Sequence, residues 1–191
     1  MSAVPRTTAT PEEYLAAERA AETRSEYIDG EVYAMSGASR QHTTIAFNIA
    51  GELRPQLRGR RCEGHLSDRR VGVGSRAYFY PDVVVVCGDA QYEADQLDTL
   101  LNPTLIIEIL SPSTAGFDAG EKFDMYRTLD SLQEYLLVAQ DRCHIIHYVR
   151  RSDNTWLLSE TRDMSARLDL PSIGCTLAVA EVYDQVTFDV A

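Results

Sequence analysis

Apolar residues recur every four positions at Ile45, Ile49, Leu53 and Leu57, with Ala46 and Ala50 beside them, which predicts a helix that Ser39 can cap. Pro55 falls inside this pattern and is expected to kink the helix or end it early. Upstream, Thr10-Pro11-Glu12-Glu13 combines an N-cap, a proline at the first helical position and a capping-box acid, so a short helix is expected through YLAAERAAE. Asp29-Gly30 sits between the apolar runs of SEYIDGEVYAM and predicts a hairpin, because both residues tolerate positive φ. The pattern then changes to short strands at RRVGV, YPDVVVV and TLIIEIL. The last two are almost continuously apolar, as expected of neighbouring strands buried on both faces, with the helix after residue 40 packed on one side. A helix over roughly residues 118–130 would place Asp118, Lys122 and Tyr126 on one face at i, i+4 and i+8. EYLLVA and HIIHYVR form a predicted hairpin about Asp141-Arg142, followed by the strand TWLLSE and a closing helix near LAVAEVY.

Composition narrows this to a globular protein of one domain. The 191 residues are 45% hydrophobic and 25% charged, without repeats or low-complexity linkers. The expected layout is an N-terminal helix and hairpin over 10–37, a core over about 38–150 and C-terminal strands and helix over 151–191. No stretch approaches the roughly 20 apolar residues of a membrane span, and MSAVPRTTATPEEY lacks a signal-peptide core, so the cytoplasm is the expected compartment. Cys62, Cys87, Cys143 and Cys175 are scattered without a C-x-x-C pair and read as thiols rather than a disulfide frame or zinc site. His144 and His147, three apart, would point to opposite faces of a strand and read as structural.

Net charge is -11, which argues against broad electrostatic capture of nucleic acid. The local distribution softens that objection. Arg54, Arg58, Arg60, Arg61, Arg69 and Arg70 fall in RPQLRGRRCEGHLSDRR, opposed there only by Glu63 and Asp68. The run fits either a solvated loop face or a phosphate-contacting patch.

Two carboxylates stand in awkward places. Asp82 opens one buried strand and Glu108 interrupts the middle of the other, where an unpaired charge costs several kcal/mol. Their repulsion is relieved either by arginine partners or by a divalent cation. Oxygen-only ligands favour Mg²⁺ or Mn²⁺, which retain waters and accept phosphate oxygens. Lys122 is the only lysine beside seventeen arginines, 14 residues after Glu108. A compact ammonium delivered next to the carboxylates could orient an attacking water and stabilise a charged transition state. That role predicts that Lys122→Ala lowers turnover by about 10² or more while leaving folding nearly intact.

YPD at 80–82, EILSPST at 108–114 and D-x-x-x-K at Asp118 and Lys122 resemble the PD-(D/E)XK nuclease superfamily. More narrowly they resemble its restriction-endonuclease family catalogued as domain of unknown function 820 (Uma-type). EYIDGEV with MSGAS and His42 is similar to the family's N-terminal block, and Tyr126 with EYLLVA to the block after the lysine helix, so the likeness covers roughly residues 10–185. It implies an α/β (α+β) restriction-endonuclease-like core, a mixed β-sheet flanked by helices. It also implies Asp82, Glu108 and the Ile109 carbonyl as metal ligands, and Asp82, Glu108 and Lys122 as the catalytic set. Where the superfamily usually carries its lysine this chain has Leu110; Lys122, one helix later, matches the family's displaced lysine. Glu26 and His42 match positions near the site. Glu26 is open between a second metal or its water and an arginine pair, and His42 between a phosphate or leaving-group contact and a backbone-satisfied helix start. Asp118 reads as a helix N-terminal acid stabilised by the dipole, with a metal contact as the alternative, and Tyr126 as core packing rather than catalysis. The family's EYW-type block departs here to Leu136 and Ala139.

The expected activity is Mg²⁺-dependent hydrolysis of phosphodiesters in DNA, with Arg58, Arg60, Arg61, Arg69 and Arg70 as candidate DNA contacts. A homodimer is expected because one site cuts one strand. Two other readings stand beside it: a catalytically silent nuclease fold serving as a DNA-binding or protein-interaction module, and an acid/base hydrolase of a small phosphorylated substrate.

Overall fold

The computed structural model describes residues 7–93, 98–111 and 114–188. Its first part runs β1 (Thr7–Thr8), α1 (Pro11–Ala20), β2 (Ser25–Ile28), β3 (Glu31–Ala34) and α2 (Arg40–Leu57). The middle strands are β4 (Cys62–Leu66), β5 (Arg70–Val73), β6 (Ala77–Phe79), β7 (Val83–Cys87), β8 (Thr99–Leu100) and β9 (Leu105–Leu110). A helical segment follows in three parts: α3 (Ala115–Phe117), a π-helical stretch over Asp118–Lys122, and α4 (Phe123–Tyr126). Then come β10 (Glu134–Ala139), β11 (Ile145–Arg150), β12 (Trp156–Thr161), β13 (Arg167–Leu170), β14 (Cys175–Ala178) and α5 (Val179–Val182).

Local chemistry sets the helix starts and the first turn. Thr10 and Glu13 close a reciprocal capping box on α1, and the Ser39 hydroxyl accepts the His42 N–H at the start of α2. Asp29 and Gly30 both take positive φ, so β2 and β3 join through a two-residue loop with Ile28 opposite Glu31.

The early end expected at Pro55 and the bounds expected for a later helix need correction. α2 continues past Pro55 to Leu57. A proline there costs about 3 kcal/mol, and burying the Leu57 side chain returns about 1.5–3 kcal/mol, aided by hydrogen bonds linking Gln56 to Thr176. The helix expected over 118–130 instead spans residues 115–126 and contains the π-helical stretch.

Two six-stranded sheets build the body, ordered β1-β3-β2-β6-β5-β8 and β12-β11-β10-β9-β7-β4, with β13-β14 as a separate pair. The second sheet is mixed: β9 runs antiparallel to β7 and parallel to β10. Within its apolar strands the two-residue period still operates. Val83, Val85, Leu105, Ile107 and Ile109 cluster with Ile45, Ile49, Leu53 and Leu57 of α2 and with the β13-β14 hairpin. Val84, Val86 and Ile106 join Phe79 of the first sheet and Phe123, Tyr126 and Tyr135 on the opposite face. Glu108 belongs by alternation to that second face, where the helical segment lies. The N-terminal hairpin is tied into the body as well, since β2 pairs with β6.

The cysteine expectation is overturned at one pair. Cys62 and Cys87 lie opposite each other in the β4–β7 register and form a disulfide, while Cys143 and Cys175 are free. The bond arises from strand pairing, which a spacing of 25 residues does not announce. His147 bonds Glu134 and His144 bonds Glu160, each at 2.8 Å, so the two imidazoles serve separate carboxylates. No helix among the described residues is long and apolar enough to cross a membrane.

Asp98 fastens α1 to the first sheet. Its carboxylate accepts from Arg19 at 2.8 Å and from Arg70 at 2.7 Å. Partial burial pushes the carboxyl up, but the Arg19 hydrogen bond and the charges of Arg70 and Arg19 more than reverse this and hold it at about 2. A depressed folded-state value stabilises the fold above the ordinary carboxyl pKa and loses that contribution as pH falls through the folded value. Stability should therefore drop between about pH 4 and pH 2, and Asp98→Asn should flatten that limb of a urea-midpoint against pH curve.

Candidate active site

Val83 pairs with Ile107, so the next antiparallel step sets Asp82 opposite Glu108 at the strand ends. Asp82 is held from two sides. Its Oδ2 accepts the Ile109 N–H at 2.7 Å, and its Oδ1 lies 2.7 Å from His42 Nε2. His42 sits in the first turn of α2, so the helix cap that starts α2 also aims the imidazole that steadies Asp82.

Glu108 is 4% exposed and shares its pocket with Lys122, also 4% exposed. Lys122 Nζ lies 2.9 Å from Glu108 Oε1, donates to Glu26 Oε1 at 3.0 Å and lies 3.7 Å from Asp118 Oδ1. It also sits 5.2 Å from the centroid of the Phe79 ring. The Tyr126 hydroxyl donates to Glu108 Oε1 at 3.4 Å, and Glu26 Oε1 also accepts the Tyr80 N–H at 3.3 Å. Lys122 closes the π-helical stretch and Asp118 opens it; such widened turns are frequent at functional sites.

Burial pulls the Lys122 ammonium down, but Glu108, Glu26 and Asp118 together more than offset this and hold it well above the usual range. Burial pushes the Glu108 carboxyl well up; Lys122 pulls it back, while Asp118, Asp82 and Glu26 raise it further. One ammonium therefore serves a buried cluster with surplus negative charge.

A cleft of about 970 Å³ opens over this cluster, reaching Glu26, His42, Asp82, Glu108, Asp118 and Lys122. The structure thus brings together all the predicted catalytic and supporting side chains except Tyr126, which lies behind Glu108 in the core. Several expectations about them change. Glu26 pairs with Lys122 rather than an arginine, and His42 reaches Asp82 rather than backbone. Asp118 lies inside the helical segment, one turn past its start at Ala115, and is buried. Lys122 is a buried ion-pair partner, so its removal is expected to cost stability as well as turnover. Pro112 and Ser113 of the EILSPST block lie outside the described residues.

The arginine run does not form one surface. Arg70 is buried and donates to Thr99, Tyr80 and Asp98, which removes it as a DNA contact. Arg60 donates to the Ile173 and Gly174 carbonyls, Arg61 pairs with Asp89, and Arg69 lies over the Tyr92 ring. Arg58 remains exposed. Sequence reading missed Arg24 and Gln140, which line the cleft, and Phe79, which lies against Lys122. Gln140 had a usable signal: it follows Ala139, which pairs with Leu110, so it emerges at the same sheet end as Ile109.

The donor set fits a hard divalent cation. Among the described residues no three His, Cys, Asp or Glu side chains converge into a ready metal cage. Mg²⁺ needs no such cage, because it binds through one or two carboxylates and keeps several waters. The surplus negative charge around Lys122 favours an added cation, and Asp82, Glu108 and the Ile109 carbonyl supply oxygen atoms only.

The family model described as Uma2, putative restriction endonuclease, matches residues 11–180. The chain belongs to this family. Two Synechocystis sp. (strain ATCC 27184 / PCC 6803 / Kazusa) relatives accompany it. Uncharacterized protein sll1609 is 39% identical over 161 residues, 84% of this chain and 91% of the relative. Uncharacterized protein slr1290 is 37% identical over 180 residues, 94% of this chain and 93% of the relative. The crystal structure of a putative nuclease belonging to DUF820, from Anabaena variabilis ATCC 29413, superposes with a TM-score of 0.74. It is 20% identical and covers 94% of this chain and 99% of its own, a likeness of fold. The chain therefore has the restriction-endonuclease-like architecture, and family membership supports nuclease function in general.

Proposed function

We propose that the chain is a metal-dependent endonuclease that hydrolyses phosphodiester bonds in DNA at the Asp82, Glu108 and Lys122 cluster. The observation that carries this reading is the buried surplus of carboxylates around one lysine at the base of an open cleft. A purely structural cluster would be expected to balance its charges, since removing ions from water costs several kcal/mol each. Asp82, Glu108 and the Ile109 carbonyl would hold Mg²⁺ or Mn²⁺. The bound ion would supply a nucleophilic water at neutral pH and neutralise charge developing on the phosphate.

The remaining work falls to side chains already in place. The imidazole of His42 and the Ile109 N–H fix the Asp82 carboxylate before substrate arrives. Lys122 presents its ammonium beside Glu108, held by Glu26 and Asp118, and can stabilise the charge that develops as water attacks phosphorus. Phe79 and Tyr126 wall the inner side and keep water from the ion pair. Two-fold pairing of chains, presenting two sites to a duplex, belongs to the same reading; light scattering with and without duplex DNA measures it.

Supercoiled plasmid incubated with the protein should be nicked or linearised with Mg²⁺ or Mn²⁺ and left intact with excess chelator. Cleavage that persists under chelation contradicts the metal assignment. Binding without cleavage under every ion favours the silent DNA-binding module instead.

A further inference from the structure

The α2 helix has three different sides. Ile45, Ile49, Leu53 and Leu57 are buried against the sheet. Asn48 and Gln56 occupy a flank closed by hydrogen bonds to the carbonyls of Val182, Asp184 and Thr176. The other flank is open along its whole length. His42, Thr43, Ala46 and Phe47 line the active-site cleft, and Ala50, Arg54 and Arg58 line a second cavity of about 460 Å³ beneath the same helix. Leu66 of β4 borders both, so the two hollows adjoin along α2 beside the sheet-edge strand β4.

Two features of this flank lack a structural purpose. Phe47 is 76% exposed, the most exposed of the large apolar side chains among the described residues, and it lines the active-site cleft. Arg54 and Arg58 are exposed and form no ion pair among the described residues, whereas nearby Arg61 pairs with Asp89 and Arg60 is held by the Ile173 and Gly174 carbonyls. No carboxylate among the described residues lines the second hollow. In a chain of net charge -11, that is a basic, apolar-floored hollow adjoining the active-site cleft.

We infer that this flank of α2 is the track for a single-stranded stretch of the nucleic-acid substrate as it leaves the catalytic cluster. A base stacks on Phe47, and phosphates pass Arg54 and Arg58. The inference rests on the nuclease reading and adds the strand's path and its unpaired state. From His42 to Arg58 the helix rises about 24 Å at 1.5 Å per residue, room for several nucleotides. A chain of bases accepts an aromatic platform whatever its sequence, and the arginines supply the counter-charge that the acidic body withholds.

The test is fluorescence anisotropy with labelled oligothymidylates of about 3 and about 12 nucleotides in chelator, alongside plasmid cleavage by the same preparations. Phe47→Ala should weaken the longer strand about 10-fold and the shorter one little, and Phe47→Trp should retain the native affinity. Replacing Arg54 and Arg58 together by alanine should lower the slope of log K against log salt by about 1.4, at about 0.7 per phosphate contact on a single strand. These positions are solvent-exposed, so the variants fold; their urea midpoints confirm it. If native protein binds and cuts DNA while both variants match it in affinity and salt slope, the track is wrong and the nuclease reading stands. If duplex loses as much affinity as single strand on Phe47→Ala, the unpaired-base part is wrong. If native protein neither binds nor cuts DNA, the nuclease reading and the track fall together.

Discussion

Lys122→Met should unfold about 3–5 kcal/mol more easily than the native chain, the scale expected when one partner of a buried ionic cluster is removed. Three carboxylates, Glu26, Glu108 and Asp118, lie within 3.7 Å of its ammonium, and all four side chains are buried. Methionine keeps the stem volume but not the charge. The pH dependence separates this cause from simple packing damage. Lys122 titrates well above its ordinary value when folded, so its contribution is fully present below that ordinary value and is lost only as pH rises through the folded one. Glu108, whose carboxyl is pushed well up, carries a proton in acid, and there the variant's deficit should shrink. Urea unfolding of both chains at acidic, neutral and mildly alkaline pH reads the difference. An unchanged midpoint at neutral pH would mean that the cluster's ammonium is dispensable to the fold.

Glu108→Gln should do the opposite to stability and more to activity. Burial and the charges of Asp118, Asp82 and Glu26 resist ionisation of Glu108 against the pull of Lys122. A folded-state carboxyl raised above its unfolded value makes stability fall as pH rises between the two values. A neutral amide of the same shape escapes that fall, and Lys122 keeps Glu26 and Asp118 as partners. The variant should therefore be at least as stable as the native chain at neutral pH, with a flatter pH profile. Turnover on plasmid DNA should fall by about 10² to 10³, the loss typical of one preorganised electrostatic group. Retained turnover would remove Glu108 from the chemistry, and a large loss of stability would make its role structural. A site that gains stability when it loses function is the expected mark of residues kept for catalysis.

The parts that sequence made legible share a physical reason. The β7 and β9 runs, the buried stripe of α2, the Thr10 capping box and the Asp29-Gly30 turn each depend on neighbours within a few residues, where period and local chemistry are written directly. The catalytic candidates were legible because a carboxylate inside an apolar strand and a lone lysine both break the surrounding pattern. What escaped depends on pairing over long separations. The Cys62–Cys87 bond and the retirement of Arg70 into the Asp98 network follow from strand register, and the Glu26–Lys122 contact from the helical segment packing against β2. The π-helical stretch was hidden for a different reason. One extra residue in a turn leaves composition unchanged and gives no periodic signal, although i, i+4 counting still gave the right neighbours for Asp118 and Lys122. Phe47 was invisible as a functional candidate because exposure is not a property of a residue type.

A crystal grown with Mn²⁺ and measured for anomalous scattering shows whether Asp82 and Glu108 share a metal ion. A single strong peak is expected, held by carboxylate oxygens of Asp82 and Glu108 and the Ile109 carbonyl at metal–oxygen distances of about 2.1 Å, with no such peak in the Glu108→Gln crystal. A native crystal with no metal between these residues at millimolar Mn²⁺, or with the ion bound only elsewhere, would contradict the metal assignment.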